Sequence, residues 1–302
     1  QEGLCRITNS KYAQILMGSG TLSNDLVAAQ LSTLKSKGLI LTNGEFGDRL
    51  VNHGKRFKLD FDTVKAQWGE AFDYKWIKDE SGIKSYDWIW FVHCETSTGI
   101  LNDLDLLNEI CAENKIKLCA DCISSIGNIE FDLSGIHLGT GSGGKGLASY
   151  PGLCFVFHNN EIVPNMNLPR YLDLGLYSSV EGVPFTLSSN LLSALNKSLV
   201  LIDIEKNKEI TETSSKIIRN RLEEIGIDII NDKRNSLPSV VTFKIDDNLS
   251  SFAIGEELEI QNIYLSYRSN YLSERNLMQF ALMGDYSRTG IEYSIKQLQK
   301  LI

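Results

Sequence analysis

Short apolar runs that stop at a glycine or polar turn and give way to helical periodicity constrain the fold of this chain more than any other feature. Tyr12-Ala-Gln-Ile-Leu-Met17 is the first such run, and the sequence enters it almost at once. Gly18-Ser-Gly-Thr21 then turns the chain. From Leu22 to Leu34 apolar residues recur at spacings of three and four, with Asn24 and Asp25 in the first turn, so the spacing predicts strand, turn and helix. Gly38 to Asn43 repeats the strand, and Asn43-Gly-Glu-Phe-Gly-Asp-Arg49 repeats the turn and the helix start. Asp87-Trp-Ile-Trp-Phe-Val-His93 and Lys115-Ile-Lys-Leu-Cys-Ala-Asp121 read as further strands, with a helix from about Asp103 to Glu113 between them. Gly152-Leu-Cys-Phe-Val-Phe-His158 is another strand, whereas the polar, aromatic-dotted stretch from Thr63 to Ser85 yields no element. Strands alternating with helices predict an α/β fold with a largely parallel sheet covered on both faces.

Sheets of that kind gather ligands at the carboxyl ends of their strands. Ser19, Thr21, Phe46, Glu95, Thr96, Asp121, Ser142 and Lys145 are all expected on that one edge. From Asn190 to about Leu222 the pattern is helical and amphipathic. Beyond it Ser239–Ile245, Ile263–Tyr267 and Met278–Met283 read as strands, and helices fit near Phe252 to Glu259 and Gly290 to Ile302. This predicts two domains, a large α/β domain over 1–205 and a small α+β domain over 206–302, without internal repeats.

The stretch Thr140-Gly-Ser-Gly-Gly-Lys145-Gly-Leu-Ala-Ser-Tyr-Pro-Gly152 surrounds one lysine with small residues, leaving its ammonium free to reach a ligand. Three readings compete for it. It is a plain glycine-rich surface loop, or a phosphate-cradling P-loop, or a lysine that holds an aldehyde cofactor. Gly139-x-x-x-x-Gly144-Lys145 fits the start of the P-loop pattern, but Gly146 stands where a magnesium-binding hydroxyl belongs, and Pro151 and Gly152 interrupt the helix such a loop must open. The third reading needs an acid for a pyridine ring and a cradle for a phosphate elsewhere in the chain.

The 302 residues suffice for a large core, and 42% hydrophobic with 23% charged residues is ordinary for a globular protein. A net charge of -8 leaves no basic surplus for nucleic acid or an anionic membrane. No apolar run approaches the ~20 residues of a membrane span and no signal-peptide pattern opens the chain, so a cytoplasmic location is expected. Gln1 rather than Met comes first, which predicts that an N-terminal part precedes this sequence. Cys119 and Cys122 have C-x-x-C spacing, yet like Cys5, Cys94, Cys111 and Cys154 they sit in apolar or strand-like surroundings, and buried reduced thiols are expected rather than a metal site.

Gly18-Ser-Gly-Thr21, Glu95-Thr-Ser-Thr-Gly99, Asp121-Cys-Ile-Ser-Ser-Ile-Gly127 and Lys145, which lies 24 residues after Asp121, stand in this order along the chain. Together they resemble the class V aminotransferases, pyridoxal-phosphate enzymes of fold type I, and especially the branch of alanine–glyoxylate, serine–glyoxylate and 2-aminoethylphosphonate–pyruvate transaminases. The likeness covers nearly the whole chain. It implies a mainly parallel seven-stranded sheet with helices on both faces and a smaller C-terminal α+β domain. It also implies the cofactor pyridoxal 5'-phosphate, its aldehyde held by Lys145 and its pyridinium nitrogen paired with Asp121. Ser19, Gly20 and Thr21 would receive the phosphate at a helix N-terminus. Phe46 would stack on the ring, and Thr96, Ile123 and Ser142 would complete the contacts. Thr186, in Val183-Pro-Phe-Thr186, resembles the threonine that reaches the neighbouring subunit's phosphate, which implies a homodimer.

Two departures matter. Gly144 stands where the family usually carries a polar residue before the lysine. In Gln279-Phe-Ala-Leu-Met-Gly284, Gln279 stands in place of the arginine whose fork clamps the substrate carboxylate, so Arg268, Arg275 or Arg288 must supply the charge or the substrate is not an ordinary α-amino acid. Gln279 and Arg268 are the candidate substrate contacts. The family's N-terminal closing segment has no counterpart in the sequence at hand. The expected activity is amino transfer from a small amine or amino acid, of the alanine, serine or 2-aminoethylphosphonate type, to pyruvate or glyoxylate. A lyase on the same fold and a non-catalytic cofactor-binding homologue are the alternatives. Desulfuration is disfavoured, since no cysteine follows Cys154.

Overall fold

The structure, a computed structural model, describes residues 1–78, 83–180, 184–230, 235–284 and 286–302. A helix, α1 (Glu2–Thr8), precedes the first strand, so the chain does not enter a strand at once as its sequence suggested. Then follow β1 (Tyr12–Met17), α2 (Gly20–Leu34), β2 (Gly38–Thr42), α3 (Glu45–Arg56), β3 (Phe61–Lys65), α4 (Tyr74–Lys78) and β4 (Trp88–Val92). A small pair, β5 (Cys94–Glu95) and β6 (Ile100–Leu101), leads to α5 (Leu104–Glu113), β7 (Lys117–Asp121), β8 (Leu138–Ser142) and β9 (Leu153–His158). After these come α6 (Leu174–Ser179), α7 (Ser189–Leu201), α8 (Ile204–Glu224), β10 (Val240–Lys244), α9 (Ser251–Ile260), α10 (Asn270–Ser273), β11 (Leu277–Ala281) and α11 (Arg288–Leu298).

The main sheet has seven strands in the order β1-β9-β8-β7-β4-β2-β3. All run parallel except β9, which is antiparallel to both β1 and β8. The central strands β2 (GLILT) and β4 (WIWFV) are buried along their whole length, as continuous apolar runs demand when helices cover both faces. One face packs Leu39, Leu41, Ile89, Phe91, Leu118 and Phe155 under α1, α5 and α7. The other packs Ile40, Trp88, Trp90, Cys119 and Val156 under α2, α3 and α6. Cys119 and Cys122 fall in these two different clusters, on opposite faces, and all six cysteines are free thiols. Ile218, Val241, Phe243, Leu258, Met278, Phe280 and Ile295 form a separate C-terminal cluster around the antiparallel pair β10 and β11.

Register sets the working edge. Val92 pairs with Asp121, Asp121 with Thr140, Ser142 with Cys154 and Met17 with Leu153, so β4, β7, β8 and β1 all end on the edge where β9 begins, with β8 running two residues past β7. Two strands escaped the sequence pattern. In β8, Leu-Gly-Thr-Gly-Ser reads as loop, yet its glycines let neighbouring side chains pack close, and a Cβ on Gly141 would lie 2.6 Å from the Ile126 Cδ1 atom. In β3, Phe-Asp-Thr-Val-Lys is an edge strand that buries only Phe61 and Val64 in part, one against each core cluster, with no apolar alternation. The expected strand Ile263–Tyr267 does not form: only Ser266 bridges to Gln279, while Ile263 and Tyr267 turn into the small core. The long helical pattern from Asn190 breaks at Ile202 and Asp203, where the Asp203 carboxylate caps α8 by accepting from the Lys206 N–H at 3.0 Å.

Candidate functional site

A cavity of about 800 Å³ opens at that edge, between the first turn of α2, one face of α3, and the ends of β4, β7, β8 and β9. Of the residues singled out by sequence, Ser19, Gly20, Thr21, Phe46, Asp121, Ile123, Ser142 and Lys145 line it.

Asp121 closes β7 and is only 6% exposed. Its carboxylate accepts from Asn24 Nδ2 at 2.7 Å and from the Ile123 N–H at 3.0 Å. Burial pushes its pKa above the ordinary carboxylate value, and the Asn24 amide, the Ile123 N–H, His53 and Lys145 all pull against that rise. Asn24 itself accepts from the Thr140 hydroxyl at 3.1 Å, so a single amide ties α2 to the end of β7 and the middle of β8.

Lys145 lies three residues past the end of β8 in a succession of turns held by Ser149 N–H donating to Gly143 O at 3.0 Å and Ala148 N–H donating to Lys145 O at 2.8 Å. No helix follows it, so the P-loop reading loses its second half. Among the described residues the half-buried Lys145 ammonium has no hydrogen-bond or ion-pair partner, while its charge acts on Asp121 and Cys94.

Ser19 precedes the 15-residue helix α2 in an extended conformation and does not use its side chain as a cap. Gly20 and Thr21, in the first turn where backbone N–H groups lack intrahelical partners, line the cavity. A Cβ on Gly20 would come within 2.4 Å of Ile123 Cδ1, so any side chain here would push Ile123 aside at this wall.

Phe46 sits in the first turn of α3, with its ring edge-on to Tyr271 and the Arg49 guanidinium 4.8 Å from its centroid. That turn is held by Glu95, which is fully buried and accepts from the N–H groups of Gly47 at 2.9 Å, Phe46 at 3.3 Å and Ser97 at 3.2 Å, and from the Ser97 hydroxyl. Gly44, the residue before the helix, has no side chain to cap it, and Glu95 substitutes across the fold. Burial raises the Glu95 pKa to about 6 against the pull of those donors.

Four of the candidate residues do not line the cavity. Thr96 is buried beside it, and its carbonyl, with that of Ser97, accepts from Gln279 Nε2 at 2.6 and 3.2 Å. Gln279 also donates to the Thr242 hydroxyl at 2.7 Å, so its amide joins the β10–β11 pair to the Glu95–Gly99 turn. Arg268 is committed on the surface to Glu256 at 2.6 Å and Glu259 at 2.7 Å. Thr186 is exposed, in a shallow pocket with Met17 and Phe185.

Sequence reasoning passed over Asn24 as a bonding partner, and over Arg49, Asn52, His53 and Arg56, which line the cavity from α3. His53 Nδ1 lies 2.6 Å from Asp25 Oδ1, joining α3 to α2. The spacing of these α3 residues by three and four was the signal that they share one helix face.

Set beside known proteins, the family described as Aminotransferase class-V matches residues 7–269. With that much of the chain matched, it belongs to the class V aminotransferase family. A 2-aminoethylphosphonate–pyruvate transaminase of Bacteroides fragilis (strain YCH46) is 31% identical over 184 residues, which make up 59% of this chain and 51% of the relative. One from Bacillus cereus (strain ATCC 10987 / NRS 248) is 28% identical over 251 residues, 77% of this chain and 68% of the relative. The chain thus spans about half the length of the Bacteroides relative. Among solved structures, the alanine–glyoxylate aminotransferase of Nostoc sp. superposes with a TM-score of 0.90 at 26% identity, over 100% of this chain and 85% of that one.

Proposed function

We propose that the cavity binds pyridoxal 5'-phosphate and that the chain is an aminotransferase, moving an amino group from a small amine or amino acid to a keto acid such as pyruvate or glyoxylate. The observation that carries this reading is the meeting in one cavity of Lys145, an amine without a hydrogen-bond or ion-pair partner among the described residues, and a buried carboxylate, Asp121. The names of the relatives, transaminases acting with pyruvate or glyoxylate, support the same substrate class.

The residues fit the cofactor. Asp121 offers a carboxylate held by two donors, suited to a ring N–H, and the Gly20 and Thr21 N–H groups with the Ser19 and Thr21 hydroxyls suit a phosphate. Phe46 supplies an apolar ring for one face. When bound, the cofactor supplies an aldehyde carbon for amine exchange and a ring that accepts electrons. Asp121 would hold a proton on the ring nitrogen. Lys145 Nζ would carry a proton away from the substrate carbon that bears the amine. Ile123 and Phe46 exclude water from that transfer.

The working unit in this reading is a cytoplasmic homodimer, with Thr186, exposed near the end of β1, reaching the neighbouring phosphate. Residues 1–205 form the cofactor-binding domain and 206–302 the smaller domain. The test is the visible absorption of the purified chain mixed with pyridoxal 5'-phosphate. A band present in the native chain, absent in Lys145→Ala and discharged by an amino donor supports the reading, and a native chain with no band refutes it.

A further inference from the structure

The loss of the carboxylate-clamping arginine at Gln279 leaves open which cation meets the anionic end of the substrate. The three arginines nearest to that task in sequence are all engaged elsewhere. Arg268 is held by Glu256 and Glu259, Arg275 donates to Tyr271 O at 3.2 Å with its guanidinium over the Trp68 ring, and Arg288 pairs with Glu292 at 2.9 Å. None of them lines the cavity, and neither does Gln279, whose amide is spent on Thr96, Ser97 and Thr242.

The cavity carries other cations. Apart from Lys145 and His53, its cationic lining side chains among the described residues are Arg49 and Arg56, both from α3. They stand seven residues apart, two helical turns, with Asn52 and His53 between them on the same face. The Arg49 guanidinium lies against the Phe46 ring, and its Nε is ion-paired with Glu45 at 3.1 Å, the same single-nitrogen pairing that Arg288 makes with Glu292; Arg49 differs in lining the cavity, with terminal nitrogens that bond no other described residue. Arg56 donates its Nε to the Asn52 amide at 2.7 Å and has no carboxylate partner among the described residues. His53, the other cation-forming group on this face, is already bound to Asp25.

Resting on the aminotransferase reading above, we propose that Arg49 receives the anionic end of the substrate, with Arg56 behind it as the outer attracting charge. Substrate recognition has thus moved from the β11 side of the site to α3. Arg49 lies one turn along the helix from Phe46, so the bound anion sits beside the ring-stacking residue and the amine end points toward Lys145. The substrate class is a small primary amine carrying one terminal oxyanion, either carboxylate or phosphonate, since a guanidinium fork takes both.

The test compares kcat/KM for three donors with glyoxylate as acceptor: alanine, 2-aminoethylphosphonate and the uncharged propylamine. In Arg49→Ala the ratio of anionic to uncharged donor falls about tenfold, the loss expected of one charge-assisted contact at a half-exposed arginine. Arg49→Lys, which keeps the charge without the fork, restores part of the ratio. Arg49→Gln serves as the second variant should alanine disturb α3. Which anionic donor loses more tells carboxylate from phosphonate. An unchanged ratio, or an equal loss for charged and uncharged donors, overturns the assignment of Arg49. A native chain that shows the visible band but transfers no amine overturns this inference while leaving cofactor binding standing, and a chain with no band overturns both readings.

Discussion

Asn24→Ala is the substitution that most directly probes how Asp121 is kept in place. The change removes the 2.7 Å bond that Asn24 gives to a carboxylate 6% exposed, leaving Asp121 with the Ile123 N–H alone, and it strips the fully buried Thr140 hydroxyl of its acceptor. A hydrogen bond to a charged group contributes about 2 kcal/mol and an orphaned buried hydroxyl costs about 1 more, so the expected loss is about 3 kcal/mol, roughly a hundredfold in the folded-to-unfolded ratio. The loss depends on pH. Asp121 already titrates above the ordinary carboxylate value because of burial, and Asn24 is the largest opposing influence, so the substitution raises its pKa further. A raised folded-state pKa means that stability is recovered as pH falls and withheld as pH rises through it. Urea unfolding followed by circular dichroism at pH 5 and pH 8 therefore gives a larger penalty at pH 8. A penalty below about 1 kcal/mol, or one equal at the two pH values, refutes the role given to Asn24.

Two further outcomes follow from buried polar groups around the site. Glu95 has a folded pKa of about 6 against the ordinary 4.5, so its contribution is fully present below the ordinary value and falls by about 2 kcal/mol as pH rises through 6. The difference between native chain and Glu95→Gln in unfolding free energy, measured from pH 4.5 to 7, carries that slope, and a flat difference refutes it. Gln279→Leu leaves two carbonyls and the Thr242 hydroxyl without their donor, and an unfolding free energy lowered by about 2–4 kcal/mol in urea titration is expected, against no change if the amide is idle.

Much of the site was legible because its residues sit at strand ends, and strand ends are where an apolar run meets a glycine or an acid: Met17 before Gly18, Ala120 before Asp121. What escaped was whatever depended on contact between distant elements. Gly139 and Gly141 look like loop until Ile126 and Phe157 are packed against them, and only then is β8 a strand. Asn24 reads as a helix-start residue, since nothing local says that Asp121 lies across the gap. Arg49 and Arg56 carry no local mark of a binding role, because only the folded chain lays α3 along the cavity. The Ile263–Tyr267 run has strand residues but no second partner beyond the Ser266 bridge, so burial of Tyr267 and Ile263 took precedence over pairing.

The central claim is that the Lys145 amine holds an aldehyde cofactor. Mixing the chain with pyridoxal 5'-phosphate, reducing with borohydride and mapping the peptides by mass spectrometry tests it at a single atom. A stoichiometric pyridoxyl phosphate increment on the peptide containing Lys145 is the predicted result. A label spread over surface lysines, with the Lys145 peptide unmodified, contradicts the account.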